Sequence, residues 1–354
     1  MEYPVMPQVE RIFYPALAVF GVLDSVARRQ RKVLNALSKL ALRMQVLNAE
    51  QWLHVNLMAI VILSLGKCGL SKCITCYMVG MAAADLLVVI SEPILYRTGQ
   101  IYFPDSFLFI TPMCSFIYFL VITATIVSVW LTVAFTFDRF MAICCEKLKP
   151  KYCSEKTAAM VIGTVSALGC LVSVPWYFRF EPEYIIDNVP WHCITKPVFF
   201  NSTAWDGYVI FYFILLACVP LFLILLLNVQ TTRRILAASR GRRGLRGCNS
   251  GEKNKDPEME NRRKSIILLF SISGSFILLW VTQVVIYIYQ RMTKIYSYPV
   301  TDPVYVTEVT ANMLQLLSTC TNTCIYVLTQ KKFREELKNA VSYPLKLIVK
   351  IVES

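Results

Sequence analysis

Residues 114–140 read CSFIYFLVITATIVSVWLTVAFTFDRF, and this stretch decides the fold. Its apolar run from Phe116 to Phe137 is interrupted only by Ser and Thr, and it is long enough to cross a hydrocarbon core of about 30 Å as a helix. The run ends in Asp138 and Arg139, where such a span meets water. Charged residues at membrane depth are expensive and are functional by default. The sequence therefore predicts a membrane helix with a functional charge pair at its end.

Five further apolar runs of similar length indicate a multi-pass membrane protein. The chain has 354 residues, 56% of them hydrophobic, and its mean hydropathy is positive. This composition is typical of the membrane class. A single apolar run could be a buried core helix, but six such runs in series indicate membrane spans. The predicted spans cover residues 74–95, 116–137, 158–178, 208–228, 265–289 and 304–328.

A seventh span lies near the N-terminus in two pieces, residues 12–23 and 55–65, each too short to cross alone. Residues 24–54 between them carry six Lys and Arg, and burying six basic residues at the bilayer centre would cost about 15–20 kcal/mol. We hypothesise that residues 24–54 are an insertion into an ancestral first helix, introduced by splicing or by the gene model. The alternative is a genuine extracellular amphipathic helix, with the span rebuilt from about residue 47 to 65.

The net charge of +13 is concentrated in a few segments. Residues 229–264 carry eleven Lys and Arg, and further basic residues follow the third and seventh predicted spans. The positive-inside rule places these segments in the cytoplasm and, with seven spans, the N-terminus outside, as in a plasma membrane protein. Basic loops in this arrangement are topology signals and lipid contacts, so no nucleic-acid partner is expected.

Two of the thirteen cysteines, Cys114 and Cys193, fall on the predicted extracellular side. The others lie within spans or on the cytoplasmic side, where thiols stay reduced. Cys114 lies at the outer end of the third span and Cys193 lies in the longest outer loop, so a disulfide between them is predicted. The same loop carries the glycosylation sequon Asn201-Ser202-Thr203, close to the bilayer.

Motifs along the other spans strengthen the meaning of the Asp138-Arg139-Phe140 signature. They are Asn56 in the first span, Ala82-Ala83-Ala84-Asp85-Leu86 in the second, Pro220 in the fifth, Phe276 and Trp280 in the sixth, Asn322 and Tyr326 in the seventh, and Lys331-Lys332-Phe333-Arg334 after it. Together they resemble a rhodopsin-like (class A) G-protein-coupled receptor over roughly residues 55–341. Within that family the resemblance is closest to the orphan branch that contains probable G-protein-coupled receptors 139 and 142.

The resemblance implies an all-α fold, a seven-transmembrane helix bundle with a short amphipathic eighth helix. The expected division is an extracellular region (1–54) that holds the detached piece 12–23 and the insertion 24–54, a receptor domain (55–328), and a cytoplasmic tail with the amphipathic helix (329–354). The chain departs from the family pattern at Phe140, which replaces a tyrosine, and at Thr282 and Thr323, which replace two prolines. Proline kinks act as hinges in membrane helices, so these losses bear on the activation geometry.

The resemblance also implies which residues couple ligand binding to a heterotrimeric G protein. Asp138 is expected to hold Arg139 when the cytoplasmic end is closed and to release it towards the partner when that end opens. The expected coupling and activation residues are Asp138, Arg139, Phe140, Phe276, Trp280, Asn322 and Tyr326. Arg262 occupies the place where some relatives carry an acid, so no opposite-charge latch to Arg139 is expected there.

Asp85 is an acid deep in the predicted bundle, where loss of hydration demands a proton or a cation. The family match places three oxygen-bearing side chains around it, those of Ser128, Ser318 and Asn322. We therefore expect a sodium ion at Asp85 as the only cofactor, the alternative being a protonated, hydrogen-bonded aspartate.

Two residue types that define known ligand groups of the family are absent, and this restricts the class of ligand. Val121 stands where amine receptors carry an aspartate and Leu316 where opsins carry a lysine, so neither group fits. Residues expected to face the outer half of the bundle are Glu92, Tyr118, Thr125, Tyr212, Trp280, Gln283, Tyr287, Glu308 and Asn312. Two acids among several aromatics suit a ligand with an amine and an apolar ring, such as an aromatic amino acid or a short peptide. The alternative is that the tyrosines are packing residues.

Enzyme chemistry is not expected. The two histidines, His54 and His192, neighbour no metal-ligand or nucleophile pattern, and no phosphate-binding glycine loop is present. An ion-coupled transporter using Glu92 and Asp85 is a second class, although its usual inverted repeats and paired broken helices are not visible. A third alternative is a non-signalling variant with a disrupted first span.

Overall fold

The computed structural model describes residues 49–66, 68–103, 105–145, 147–246, 257–293, 302–329, 331–339 and 342. The detached piece at residues 12–23 and the hypothesised insertion up to residue 48 lie outside the described residues. Residues 49–54 are helical and continuous with residues 55–64. The described first helix therefore extends six residues before the second apolar piece.

A helix forms at each predicted span that the structure describes. The helices are α1 (49–64), α2 (Lys72–Val89, continued by Ile90–Thr98 and Gly99–Tyr102), α3 (Thr111–Cys144), α4 (Glu155–Tyr177), α5 (Thr203–Phe213, continued by Ile214–Cys218 and Val219–Arg246), α6 (Pro257–Thr293), α7 (Pro303–Thr329) and α8 (331–339). Single helical turns occur at Phe107–Phe109, Lys149–Tyr152 and Pro197–Asn201. Within the described part of the chain, five helices, α2 to α6, are long and apolar enough to cross a membrane.

Short polar residues and prolines set the starts of these helices. The Ser71 hydroxyl accepts a hydrogen bond from the Ile74 amide at 3.4 Å, and Ser154 accepts one from Thr157 at 3.2 Å. Both serines satisfy amide groups that a helix start leaves without an intrahelical partner. At α3 a proline lies in the first turn, where its missing N–H would have no helical partner anyway.

Two widened turns accompany prolines inside helices. Residues Ile90–Thr98 of α2 are π-helical and contain Pro93, and the π-helical turn Ile214–Cys218 of α5 lies just before Pro220. A proline ring clashes with the carbonyl one turn back and lacks an N–H, so the helix widens locally. In α5 the Trp130 indole of α3 donates to the Leu215 carbonyl at 3.0 Å. That carbonyl is the one a proline at position 220 cannot bond in a π-helical pattern.

The loop between α4 and α5 contains four short strands, which the all-α prediction did not anticipate. β1 (Phe180–Glu181) pairs antiparallel with β4 (Ile194–Thr195), and β2 (Tyr184–Ile186) pairs antiparallel with β3 (Val189–Trp191). The β2–β3 turn is formed by Asp187 and Asn188, both with positive φ, a conformation that Asp and Asn tolerate best among non-glycine residues.

The predicted disulfide between Cys114 and Cys193 ties this loop to the start of α3, with the two Cα atoms 6.7 Å apart. The Thr111 hydroxyl bonds the carbonyls of Pro190 at 3.2 Å and His192 at 2.8 Å. The β-structured loop is therefore held directly over the outer end of α3.

α3 is the central helix of the core, and it packs against α2, α4, α5 and α6. Its Leu131 and Phe135 are almost fully buried among side chains of α2 and α4. Gly169 of α4 allows the close approach of α3, because a Cβ there would lie 2.7 Å from a Val127 methyl carbon. α7 completes the packing against α6 and α2.

Candidate functional site

The charge pair at the inner end of α3 is buried. Asp138 is 4% exposed and Arg139 is 5% exposed, and the Arg139 guanidinium forms an ion pair with the Asp138 carboxylate. The Cys73 thiol of α2 donates to the other Asp138 oxygen at 3.0 Å. A second thiol, that of Cys153, lies 3.6 Å from the Asp138 carbonyl. Removing two charges from water is unfavourable unless they are paired and hydrogen-bonded. The Asp138–Arg139 ion pair and the Cys73 thiol meet both conditions.

The guanidinium is not saturated by these contacts. The buried Arg139 Nε has no hydrogen-bond partner in the described part of the chain, and the Arg139 Cζ lies 5.9 Å from the centre of the Phe135 ring. Phe140 is half-buried beside the pair. The side chains of Arg262 and Tyr326 lie outside the described residues, so the expected absence of a latch at Arg262 and the expected role of Tyr326 in activation stay predictions.

Asp85 lies in the interior between α2, α3 and α7 and is 1% exposed. The Ser128 hydroxyl donates to Asp85 Oδ1 at 2.5 Å, and Asn322 Nδ2 donates to Oδ2 at 3.1 Å. Ser318 lines the same cavity, but its hydroxyl donates to the Gln315 carbonyl at 2.6 Å. Three of the four predicted sodium-pocket residues thus form one hydrogen-bonded cluster, and the fourth lies at its edge.

The cavity at Asp85 is open to water-sized molecules over about 20 Å³, enough for at least one water. Hard cations prefer carboxylate, hydroxyl and amide oxygens, which are the groups found here. Among the described residues no Lys or Arg forms an ion pair with Asp85. The donor set therefore fits a small cation, and it fits a shared proton as well. The described chain contains no cluster of His, Cys, Asp and Glu suited to another metal.

The aromatic pair of α6 forms the other wall of this cavity. Phe276 and Trp280 have ring centres 5.3 Å apart, and they pack with Val129, Val133 and Ile224. The Trp280 indole N–H and the Gln283 side-chain oxygen on the next turn are both buried, and neither has a hydrogen-bond partner among the residues that the structure describes. One donor and one acceptor in this part of α6 are therefore buried and unsatisfied among the described residues.

The two predicted acids of the outer half have different partners. Glu92 forms an ion pair with Arg97 at 3.0 Å, within α2. Glu308 is half-buried on α7, hydrogen-bonds the Gln290 side chain, and lies within electrostatic range of Arg97. Glu92 is already matched by a cation, whereas the hydrogen-bond partner of Glu308 is a neutral amide.

The predicted tyrosines bridge helices. The Tyr212 hydroxyl donates to the Ile122 carbonyl at 3.2 Å, and the Tyr287 hydroxyl donates to the Val209 carbonyl at 3.0 Å. Tyr118 accepts a hydrogen bond from Arg179 at 2.7 Å. Thr125 lines the Asp85 cavity while its hydroxyl donates to its own helix. Asn312 is half-buried on α7. The phenol groups of these tyrosines therefore position α3, α5 and α6 relative to one another.

The prediction from sequence missed three residues that form hydrogen bonds with predicted site residues. Cys73, Arg97 and Arg179 bond Asp138, Glu92 and Tyr118 respectively. Arg97 had a signal, a basic residue five positions after an intramembrane acid. Cys73 and Arg179 had none, because their partners are more than 60 residues away along the chain.

The predicted glycosylation site, Asn201, is exposed at the end of the turn Pro197–Asn201. Its side chain is accessible to a modifying enzyme, and the modification itself stays a prediction.

Comparison with known proteins identifies the group to which this arrangement belongs. The family model described as 7 transmembrane receptor (rhodopsin family) matches residues 55–326. Probable G-protein coupled receptor 142 of Mus musculus is 26% identical over 217 residues, which is 60% of this chain and 51% of that relative. The match thus spans about half the length of the curated relative. The predicted resemblance is confirmed, and so is the prediction that the protein is not an enzyme, since this is a family of receptors. The chain belongs to the rhodopsin family of seven-transmembrane receptors.

Proposed function

We propose that this chain binds an extracellular ligand and in response activates heterotrimeric G proteins. Family membership supports a ligand and a G protein as partners in general terms. The single observation that carries the coupling step is the buried ion pair of Asp138 and Arg139 at the inner end of α3. A buried arginine whose Nε has no partner is a group that a docking protein can engage.

Activation follows from that geometry. In the resting state Asp138 holds Arg139, and the Cys73 thiol holds Asp138. Outward motion of α6 uncovers Arg139 and opens a groove for the C-terminal helix of the G protein, a helix-in-groove contact. The basic loop 147–156 and the inner ends of α5 and α6 form the rest of the coupling surface. Phe140 supplies the packing of the usual tyrosine without its hydroxyl.

The proposed topology has seven membrane-crossing helices, α1 to α7, with the N-terminus outside and the basic loops inside at the plasma membrane. The disulfide Cys114–Cys193 supports this orientation, because disulfides persist in oxidising compartments. α8 then lies along the inner membrane face. Its Phe333 is 1% exposed and belongs to the core, while Lys331 and Glu335 are exposed, which is an amphipathic pattern.

We propose a sodium ion at Asp85, held by Asp85 together with the oxygens of Ser128, Ser318 and Asn322. The ion supplies the positive charge that a fully buried carboxylate lacks. Asp85 orients Ser128 and Asn322 through its two hydrogen bonds and so ties α2 to α3 and α7. A cation there would stabilise the resting arrangement, because its proposed ligands come from all three of these helices.

For the ligand we propose a small aromatic molecule with an amine, such as an aromatic amino acid or a short peptide. Glu308 is the stronger candidate for binding the amine, because Glu92 is already paired with Arg97. The apolar ring is proposed to lie towards Trp280. The buried Trp280 indole N–H and the buried Gln283 oxygen have no hydrogen-bond partner among the described residues, and we propose that a polar group of the ligand bonds them.

The proposed boundary between the extracellular region (1–54) and the receptor domain (55–328) rests on the family match, which begins at residue 55. The tail is proposed to start at residue 329. Packing of the described residues favours an earlier start for the first span. Ala49 is 3% and Trp52 is 9% exposed, and Trp52 belongs to one buried cluster with Val88, Val89 and Leu316. This supports the alternative in which the first span is rebuilt from about residue 47.

A reconstitution experiment distinguishes the proposal from an ion-coupled transporter and from a non-signalling variant. The protein in lipid vesicles is given purified G proteins and L-phenylalanine, and both guanine-nucleotide exchange and uptake of the labelled amino acid are measured. We expect ligand-dependent exchange and no uptake. Uptake without exchange would establish the transporter class. Binding without either would indicate a non-signalling variant.

A further inference from the structure

One tyrosine of the β-structured loop takes no part in packing the helices. Tyr184 is the first residue of β2 and is 41% exposed. Its ring lies against that of His192, with the ring centres 5.2 Å apart, and its hydroxyl makes no hydrogen bond among the described residues. The hydroxyls of Tyr212 and Tyr287, by contrast, bond carbonyls of neighbouring helices. Tyr184 therefore presents an accessible phenol group on the surface of the loop.

The residues around Tyr184 are acidic. Glu183 precedes it directly, Glu181 lies three residues before it, and Asp187 lies three residues after it. Glu183 and Asp187 are exposed. Within the described part of the chain, no Lys or Arg forms an ion pair with any of these three acids. Their negative charges are therefore available to a cationic surface of another protein.

The segment that carries Tyr184 is also accessible along its backbone. β2 and β3 form a two-stranded sheet, so within the described residues one edge of β2 has no strand beside it. Ile185 is 65% exposed and Ile186 is 54% exposed. An edge strand has N–H and C=O groups with which another protein can pair. An enzyme can therefore bind this strand as an extended segment, with the Tyr184 phenol in its active site.

The compartment limits the chemistry that can reach this phenol. Cys193 of the same loop is bonded to Cys114, and disulfides persist in the secretory pathway and outside the cell. In the proposed topology Tyr184 therefore meets enzymes of the secretory lumen and not cytosolic kinases. Sulfotransferases of that lumen use phosphoadenosine phosphosulfate, a polyanion. An active site that binds a polyanion is cationic, so it favours a tyrosine among acids.

We propose that Tyr184 is a site of tyrosine O-sulfation, recognised through the acids beside it. The phenol oxygen attacks the sulfur of the phosphosulfate donor and forms an Oη–S bond. The bond between that sulfur and the donor's phosphate oxygen breaks, phosphoadenosine phosphate leaves with the electron pair, and the phenol proton passes to a base of the transferase. The product is a sulfate ester with a permanent negative charge. The inference needs the proposed topology but neither G-protein coupling nor a ligand.

A second tyrosine offers a matched comparison within the same chain. Tyr102, at the outer end of α2, is 61% exposed, and both tyrosines have an arginine five residues before them. One acid, Asp105, lies within five residues of Tyr102, whereas three lie within five residues of Tyr184. Exposure alone would favour modification of Tyr102. Recognition through acids favours Tyr184.

Metabolic labelling with radioactive inorganic sulfate tests the proposal. The full chain is expressed in secretory cells, purified, freed of N-linked glycans, which can themselves carry sulfate, and digested. Label is counted in the peptides that contain Tyr184 and Tyr102, and mass spectrometry locates any added sulfuryl group. We expect label on Tyr184 that resists phosphatase, and at least fivefold less on Tyr102. An unlabelled Tyr184 peptide, or an added group that phosphatase removes, would overturn the inference.

Two variants separate the phenol from its surroundings. Tyr184→Phe keeps the ring and removes the accepting oxygen, so its peptide should carry no label. Glu183→Gln keeps the tyrosine and removes the adjacent charge, so label on Tyr184 should fall at least fivefold. Asp105→Asn is the control, because it removes an acid of another outer loop and should leave that label unchanged.

Label that persists in the Tyr184→Phe peptide would place the sulfate on another residue and overturn the assignment. Equal label in Glu183→Gln and the wild type would overturn recognition through the acids. The wild-type peptide decides the main question, so a variant that does not fold leaves the test intact. Nucleotide exchange by the same preparation reports separately on the proposed receptor function.

Discussion

Asp138 and Arg139 are adjacent in sequence, and both are withdrawn from solvent at the inner end of α3. Each side chain has hydrogen-bonding capacity beyond this ion pair. Asp138 uses that capacity for the Cys73 thiol, whereas Arg139 Nε has no partner among the described residues. In the proposed coupling step Asp138 restrains Arg139, and Arg139 is the residue that the partner engages.

Replacing Asp138 and replacing Arg139 should change signalling in opposite directions. Arg139→Ala should abolish nucleotide exchange and leave binding of L-phenylalanine largely intact, because it removes the charge that the partner engages. Surface expression should fall in part, because the buried Asp138 carboxylate loses its counter-ion. Asp138→Asn should raise basal exchange several-fold, because the guanidinium is no longer held. Both variants are compared at equal surface density by exchange on reconstituted G protein. Full exchange by Arg139→Ala would exclude the proposed coupling surface.

The sodium proposal is tested at Asp85. Asp85→Asn should remove any dependence of L-phenylalanine affinity or basal exchange on sodium, measured against potassium or N-methylglucamine at constant ionic strength. Ser128→Ala should reduce the sodium effect more than Ser318→Ala, because the Ser128 hydroxyl bonds the carboxylate while that of Ser318 bonds a backbone carbonyl. A wild-type protein that does not respond to sodium would favour the protonated aspartate.

The two outer acids should differ in their effect on an amine. A charge-assisted contact in a partly dehydrated pocket contributes about 1.5–3 kcal/mol, so Glu308→Gln should weaken binding of the aromatic amine phenethylamine about tenfold or more. Glu92→Gln is the matched substitution, and it should have a smaller effect because Arg97 already binds that carboxylate. The reverse order would move the amine site to α2, and unchanged affinity in both variants would move it elsewhere.

At the scale of elements, prolines and their partners shape the bundle. The sequence has prolines at positions 93 and 220, and both accompany π-helical turns. Where two other prolines of the family pattern are replaced, Thr282 and Thr323 continue regular helix in α6 and α7. The Thr323 hydroxyl is buried and has no hydrogen-bond partner within the described ranges. Among the described helices, α2 and α5 carry a widened turn beside a proline, whereas Pro175 lies in the last turn of α4 without one.

The widened turn of α5 depends on a side chain of α3. Trp130→Phe removes the donor to the Leu215 carbonyl, and an unsatisfied buried carbonyl costs about 1–3 kcal/mol, so the melting temperature should fall. Pro220→Ala restores a backbone N–H on the same helix and should offset part of this loss in the double variant. Additive losses in the double variant, measured by thermal unfolding, would show that the two features are independent.

At the scale of the whole molecule, the start of the first span is tested by two deletions. Removing residues 24–46 retains the helical residues 49–54. Removing residues 24–54 instead joins Leu23 to Val55 and brings Gly21 to the place of Trp52, which is buried against α2 and α7. We expect the shorter deletion to reach the cell surface as well as the full chain does, and the longer one to reach it less well. Better expression of the longer deletion would identify residues 24–54 as an insertion throughout.

Much of the fold was predictable because its signals are local. An apolar run longer than about 20 residues specifies a membrane helix without reference to any other part of the chain. All six intact spans were found in this way, and five of them meet the criterion for crossing in the structure. Charge distribution and topology also predicted the disulfide between Cys114 and Cys193.

Pairing between distant residues required the tertiary structure. The sequence shows Asp85, Ser128 and Asn322 as three polar residues in three apolar runs, and only a family resemblance put them together. The structure joins them by hydrogen bonds across 43 and 237 residues of chain. It also shows that Arg97 pairs with Glu92, whereas no carboxylate of the described residues lies within 4 Å of Arg179. By itself the sequence determined which segments enter the membrane, since burial of an apolar run is a property of the run. The tertiary structure alone decided which charges are free to bind a ligand, because whether a charge is neutralised depends on its neighbours in space.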